Sequence, residues 1–158
     1  MAIIKCDTED QIQSQLLRVI QQCVDSNQSD LFTCGLSGGS LPSVLAKVLP
    51  RVTTDWSKWR FLFCDERLVP FDDQESTFGV YKKQLLDTFP SISSDQFVIV
   101  DPNLPPESAA KDYEQKMRSV FGSVVWPQFD ILLLGMGPDG HTCSLFPNHP
   151  LLKVITKT

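Results

Sequence analysis

The sequence has no long apolar run, no cluster of basic residues and no closely spaced pair of cysteines. Without a run of about 20 apolar residues, no segment is expected to span a membrane as a helix. Fourteen Lys and Arg against 19 Asp and Glu give a net charge of −5. A chain with this charge and no basic cluster has nothing to follow a nucleic-acid backbone. We therefore expect neither a membrane nor a nucleic acid as a partner.

The five cysteines, Cys6, Cys23, Cys34, Cys64 and Cys143, are an odd number and are widely scattered. This usage predicts reduced thiols rather than disulfides or a metal site. The opening residues, MAIIKCDTEDQ, lack the basic region, apolar stretch and small-residue cleavage site of a secretory signal. We accordingly expect a cytoplasmic protein.

The 158 residues, 42% hydrophobic and 21% charged, have the balance of one globular domain over residues 1–158. Helical spacing of apolar residues alternates along the chain with short apolar runs. The predicted helices cover residues 9–25, 43–50, 76–89 and 106–122, with Thr8 and Ser76 as helix starts. The predicted strands cover residues 31–36, 59–66, 96–100 and 129–135, with a candidate fifth in AIIKC at residues 2–6. Because these strands do not alternate apolar and polar residues, they indicate a parallel sheet buried on both faces in a layered α/β domain.

Three polar stretches each follow a predicted strand: residues 37–42 (SGGSLP), 65–67 (DER) and 135–141 (GMGPDGH). In sheets of this kind, ligands bind beyond the carboxyl ends of the strands. We therefore expect the three stretches to meet at one edge of the sheet.

The first stretch has two readings. Gly38 and Gly39 let backbone N–H groups approach an anion at a helix N-terminus, where a phosphate would fit. The alternative is a tight strand-to-helix turn capped by Ser40. The stretch is not a Walker loop, because it lacks the terminal Gly-Lys-Ser/Thr.

The other two stretches carry ionisable groups. Arg67 is placed to pair either with a phosphate or with neighbouring acids, the alternative being solvated surface charge. Asp139 lies close enough in sequence to orient His141, whose imidazole can accept and return a proton near neutral pH. The alternative there is a glycine turn with an exposed histidine. His149 is interpreted as a loop histidine, and Cys143 as a small buried thiol.

Taken together, SGGS, FCDERLVP with ESTFGVYKKQLL, and FDILLLGMGPDGHTCSLFP followed by HPLL resemble the 6-phosphogluconolactonases of the glucosamine/galactosamine-6-phosphate isomerase superfamily. The resemblance implies a three-layer, Rossmann-like α/β sandwich with a mostly parallel sheet. It also implies hydrolysis of a phosphorylated sugar lactone, 6-phospho-D-glucono-1,5-lactone, to 6-phospho-D-gluconate in the pentose phosphate pathway. Neither a metal nor an organic cofactor is expected.

The resemblance also implies roles for individual residues. His141 is the base that activates water, and Asp139 orients it. The residues implied to bind substrate are Ser37, Gly38, Gly39 and Ser40 around the phosphate, Asp65 and Arg67 beside the sugar, and Gly137 and Gly140 in the histidine loop.

Two alternatives remain at this point. Glucosamine-6-phosphate deaminases share the glycine turn and the histidine loop, but they need an acid shortly after the histidine, where this chain has Phe146. The resemblance also ends soon after FPNHPLL, whereas family members continue through further strands, helices and basic residues. The sequence therefore indicates a C-terminally truncated form with exposed sheet faces, and the alternative function is an impaired binder of a sugar phosphate or a protein partner.

Overall fold

The computed structural model describes residues 3–122 and 124–154. Its centre is a four-stranded parallel sheet in the order β3–β2–β1–β4. The strands are β1 (Phe32–Leu36), β2 (Trp59–Phe63), β3 (Phe97–Val98) and β4 (Ile131–Leu133). The α-helices are α1 (Glu9–Ser26), α2 (Leu41–Val48), α3 (Thr77–Tyr81) and α4 (Pro106–Phe121). This alternation confirms the predicted α/β class.

Strand β1 is the central element, since it pairs with β2 over its whole length and with β4 on its other side. All five of its residues are buried. Burial without alternation is what a parallel strand covered on both faces requires, and it explains why the sequence of β1 is uniformly apolar or small.

The main core lies on one face of this sheet. Because the strands are in register, Cys34 of β1 and Phe61 of β2 lie side by side on that face. Ile20 of α1, Leu45 of α2 and Tyr81 of α3 pack into the same cluster, and all three are fully buried. The amphipathic helices therefore cover the sheet with the apolar faces that their spacing predicts.

A side chain of helix α4 provides the hydrogen-bond partner for the backbone at the end of β2. Strand β3 pairs only with Phe61 and Leu62, so the backbone of Phe63 has no strand partner on that side. The Tyr113 hydroxyl donates to the Phe63 carbonyl at 2.8 Å and accepts from its N–H at 2.7 Å. One phenol thus replaces two ladder hydrogen bonds, which a buried backbone needs.

Strand β4 is an edge strand in the described part of the chain, and Leu132 and Leu134 are exposed there. This agrees with the expectation of an exposed sheet face. No helix within residues 3–122 and 124–154 has both the length and the apolar character needed to cross a membrane.

The fifth strand expected in AIIKC is wrong for residues 3–6, which form no strand, while Ala2 lies outside the described residues. Ile3 and Ile4 are exposed, so this short apolar run packs on no sheet face. A strand is stabilised by pairing and by a buried face, and this segment has neither.

Several predicted boundaries also differ. Helix 76–89 is divided into α3 and a π-helical turn, Lys82–Leu86. The strands predicted over 59–66, 96–100 and 129–135 are shorter than expected, with bounds Trp59–Phe63, Phe97–Val98 and Ile131–Leu133. The helix starts at Thr8 and Ser76 are confirmed, since their hydroxyls accept from the N–H groups of Gln11 and Gly79.

Candidate active site

A cavity of about 440 Å³ lies at the carboxyl edge of the sheet, a volume typical of small-molecule sites. The loops after β1, β2 and β4 meet there, as predicted from the sequence. Eight of the expected site residues line the cavity: Ser37, Gly38, Gly39, Ser40, Asp65, Arg67, Gly137 and His141. Asp139 and Gly140 lie outside its lining.

Ser37 has a structural role at the end of β1. Its side chain is buried, and its hydroxyl accepts from the Gly135 N–H at 2.9 Å. Its carbonyl accepts from the Tyr81 hydroxyl at 3.0 Å. Ser37 therefore holds the glycine turn against both the histidine loop and α3.

The glycine turn presents backbone donors to the cavity. Among the residues that the structure describes, the N–H groups of Gly38, Gly39 and Ser40 donate to no protein acceptor. Gly39 has φ +71°, a conformation that residues with a Cβ rarely adopt. Ser40 occupies the N-cap position of α2, as the alternative of a tight turn expects, but its side chain makes no capping bond. The free donors and the start of α2 form an environment that favours an anion.

Glu66 fixes the loop that follows β2, a role that the sequence reasoning missed. Its carboxylate accepts from the N–H groups of Thr77 at 2.7 Å, Phe78 at 2.8 Å and Arg67 at 2.8 Å. The first two are unpaired donors at the start of α3, where a carboxylate is favoured. No local sequence pattern predicts this contact, because Glu66 and Thr77 are eleven residues apart.

The charged groups of the cavity are of both signs. Among the residues that the structure describes, Arg67 is the one Arg or Lys that lines the cavity, and its Nη1 lies 3.0 Å from Oε2 of Glu75. Asp65 also lines the cavity, and it accepts from the Ser144 hydroxyl at 2.6 Å. An incoming anion would therefore meet a guanidinium that is already paired.

His141 is held by Asp139 through two contacts. The imidazole Nδ1 lies 2.5 Å from Asp139 Oδ1, and the His141 N–H donates to the same oxygen at 3.2 Å. Because a carboxylate only accepts, the proton is on Nδ1, and Nε2 is the basic nitrogen. The alternative of an exposed histidine on a glycine turn does not fit, since only 29% of the His141 side chain is exposed.

Two neighbours shape the space around the imidazole. A Cβ added to Gly137 would overlap the His141 ring, so the loop closes only with glycine at that position. The Phe146 ring lies on the imidazole with centroids 4.5 Å apart. An apolar ring thus contacts the histidine where a deaminase would need an acid.

The hydrogen bond from the His141 side chain holds the pKa of Asp139 below its ordinary value of 3.8, and the His141 backbone N–H adds to this effect. Because this pKa is lower in the folded chain, the contribution to stability is present above the unfolded pKa and is lost as pH falls through the folded one. We expect a carbon-13 NMR titration of Asp139 with a midpoint below 3.8.

In the His141→Ala variant we expect the midpoint of Asp139 to rise towards 3.8. Asp101 is the internal control, because Asn103 lowers its pKa far from this loop, and its midpoint should not move. An unchanged Asp139 midpoint in the variant would show that the imidazole does not hold this carboxylate.

The cavity also includes residues that the sequence reasoning did not select: Pro42, Gln74, Glu75, Ser76, Thr77, Val80, Gly135, Met136 and Cys143. Five of the nine belong to α3 or to the segment directly before it, which packs beside the glycine turn only in the folded chain. His149 is absent from the lining, and its ring accepts from the Leu151 N–H in a local turn.

Both the sequence and the fold of this chain are similar to those of known proteins. The sequence profile of the family described as glucosamine-6-phosphate isomerases/6-phosphogluconolactonase matches residues 6–158. The 6-phosphogluconolactonase of Rattus norvegicus is 52% identical over 83% of this chain, and that of Homo sapiens is 48% identical over 89%. The crystal structure of 6-phosphogluconolactonase from Thermotoga maritima matches 92% of this chain with 31% identity and a TM-score of 0.74.

The chain spans only part of these relatives. The matches cover 52% of the rat protein, 56% of the human protein and 63% of the Thermotoga maritima chain. Activity of the whole relatives is therefore a hypothesis for this chain and requires its own test.

Proposed function

The chain belongs to the family of glucosamine-6-phosphate isomerases and 6-phosphogluconolactonases, and from this premise we propose that it hydrolyses 6-phospho-D-glucono-1,5-lactone to 6-phospho-D-gluconate. The observation that carries the proposal is the Asp139–His141 pair beside a cavity with free backbone donors. A positioned imidazole can act as the general base of ester hydrolysis, and an anion-binding turn can hold the phosphate of the substrate.

In the proposed reaction, Nε2 of His141 takes a proton from a water molecule as the water oxygen attacks the lactone carbonyl carbon. The tetrahedral intermediate then breaks its bond between that carbon and the ring oxygen. The imidazolium returns the proton to the ring oxygen, and the new carboxylic acid ionises. Asp139 keeps Nδ1 protonated and stabilises the imidazolium during these steps, as acids paired with histidine do.

We assign the phosphate to the glycine turn. The N–H groups of Gly38, Gly39 and Ser40 are unpaired within the described ranges, and the start of α2 adds a partial positive charge. Arg67 is the cation that can join them, provided that its contact with Glu75 is exchanged for the ligand. Asp65 remains a proposed contact for the sugar hydroxyls.

The competition at Arg67 leads to a prediction. Replacing Glu75 with Gln should strengthen binding of 6-phosphogluconate by up to about fivefold, because an exposed ion pair of this kind is worth up to about 1 kcal/mol. Isothermal titration calorimetry measures the change. The matched control is Glu114→Gln, which removes the partner of Arg118 in a similar exposed pair on α4. Equal gains in both variants, or none at Glu75, would contradict the assignment of Arg67 to the phosphate.

Two other functions make different predictions. A binder without activity needs only the free backbone donors of the glycine turn, which can hold a phosphate whether or not His141 acts on the lactone. A deaminase is disfavoured by the Phe146 ring on the imidazole, because a phenyl ring transfers no proton.

One experiment separates the three. Purified chain is given the phosphorylated lactone, and 6-phosphogluconate is followed above the spontaneous rate, with unphosphorylated glucono-1,5-lactone as control substrate. Faster hydrolysis of the phosphorylated lactone supports the proposal. Binding of 6-phosphogluconate without hydrolysis indicates a binder, and ammonia release from glucosamine 6-phosphate indicates a deaminase.

A further inference from the structure

Two cysteines far apart in sequence meet beside the cavity. Cys64 directly follows β2, and Cys143 lies two residues after His141 in the loop that follows β4. The residues that directly follow the two cysteines are in contact, because the Ser144 hydroxyl donates to Asp65 at 2.6 Å. This contact holds the two segments side by side, and each thiol is near enough to influence the pKa of the other.

The pair differs from the other cysteines in access and position. Cys64 is exposed, and Cys143 is half-buried in the lining of the cavity. Cys34 is fully buried in the core. Cys143 has φ +54°, an uncommon conformation for a residue with a Cβ.

We propose that Cys64 and Cys143 form a modification site at which a peroxide oxidises the two thiols to a disulfide. The Cys64 thiolate attacks one peroxide oxygen, breaks the O–O bond and becomes a sulfenic acid, with hydroxide as the leaving group. The Cys143 sulfur then attacks the Cys64 sulfur and displaces the second hydroxide. Each hydroxide takes a thiol proton, so two thiols and one hydrogen peroxide give one disulfide and two waters.

Cys64 is the attacking thiol because it is the exposed member of the pair. Although the residue is exposed, partial burial of the Cys64 thiol raises its pKa above the ordinary value of 9.0, and the nearby Asp65 adds to this effect. Burial, with Asp65 as the next cause, raises the pKa of Cys143 to about 12. Since the thiolate is the nucleophile, oxidation should be slow at neutral pH and should accelerate about tenfold between pH 7 and pH 8.

The disulfide would link the loop that carries Asp65 to the loop that carries His141. The proposal about the thiols stands on their own contacts and does not depend on lactone hydrolysis, so either can fail without the other. The test of the thiol proposal measures formation of the disulfide itself and needs no enzymatic activity.

The test treats the folded full chain with hydrogen peroxide and follows intact mass and disulfide-linked peptides. We expect a loss of two hydrogen atoms, a linked peptide pair containing Cys64 and Cys143, and full reversal by dithiothreitol. Cys143→Ser should abolish the linked product, whereas the control variant Cys23→Ser, with its cysteine on α1, should retain it.

Circular dichroism checks that each variant is folded, and a sample unfolded in urea before oxidation supplies a second comparison. The linked pair should form at least tenfold faster in the folded chain than in urea at the same pH, because only folding brings the thiols together. A disulfide between other cysteines, oxidation of Cys64 alone to higher acids, or an equal rate in urea would overturn the proposal.

Discussion

Replacing His141 with Gln should lower the rate of lactone hydrolysis above background by about 100- to 10,000-fold, the usual contribution of a positioned general base. Glutamine keeps a polar side chain of similar reach but accepts no proton at neutral pH. Asp139 lies 2.5 Å from Nδ1 of His141, which leaves Nε2 of the imidazole as the basic nitrogen. The amide of glutamine has no basic nitrogen to replace it. The measurement is the initial rate of 6-phosphogluconate formation at several lactone concentrations.

The fall should appear in kcat, with a smaller change in KM, because the proposed role of His141 is to act on the reacting water and not on the phosphate. His149→Gln is the matched control, since that histidine lies outside the cavity lining and should leave the rate unchanged. Circular dichroism spectra of both variants should match that of the parent chain, which shows that both are folded. A folded His141→Gln chain as active as its parent would reject His141 as the base.

Replacing Trp59 with Ala should lower the free energy of unfolding by about 3–5 kcal/mol, as for other large buried aromatic residues. Trp59 is 1% exposed on β2 and contacts the rings of Phe32, Trp56 and Phe61, with centroid separations of 4.3, 4.8 and 5.5 Å. Its indole N–H donates to the Thr54 hydroxyl at 3.0 Å. Truncation would leave a cavity on the main core face and remove this hydrogen bond.

Trp126→Ala is the control for the same chemical change on the surface. The Trp126 side chain is 61% exposed, so its loss should alter the free energy of unfolding by no more than about 0.5 kcal/mol. Urea denaturation followed by circular dichroism measures both variants. Equal effects at the two positions would mean that the ring cluster around Trp59 does not carry the stability of the core.

The local requirements of the fold are visible in the sequence. The apolar spacing of α1 and the uninterrupted apolar run of β1 are repeated patterns, and each pattern reports the face that must be buried. The start residues Thr8 and Ser76 are equally local, because each hydroxyl reaches an N–H only three residues ahead. The apolar pattern of residues 3–6 predicted a strand wrongly, because this segment neither pairs with a strand nor buries a face.

Parts of the candidate site are likewise predictable from local sequence, and other parts are not. The placement of three polar stretches after strands predicts their convergence, since parallel strands bring their carboxyl ends to one edge. The Asp139–His141 contact was also predictable, because the two residues are neighbours in one loop. The phosphorylated lactone came instead from resemblance to a family, as no spacing of residues names a substrate.

By itself, therefore, the sequence determined the α/β class, the sheet edge where the three polar stretches meet and the pairing of Asp139 with His141. Each follows from the order of strands and helices along the chain or from residues that are neighbours in one loop. Only the tertiary structure decided that Glu66 holds the start of α3, that Glu75 pairs with Arg67, and that the segments of Cys64 and Cys143 lie side by side. These contacts join groups from different loops, or from distant parts of one loop. Their partners are chosen by how the sheet and helices pack, which a local pattern of residues does not record.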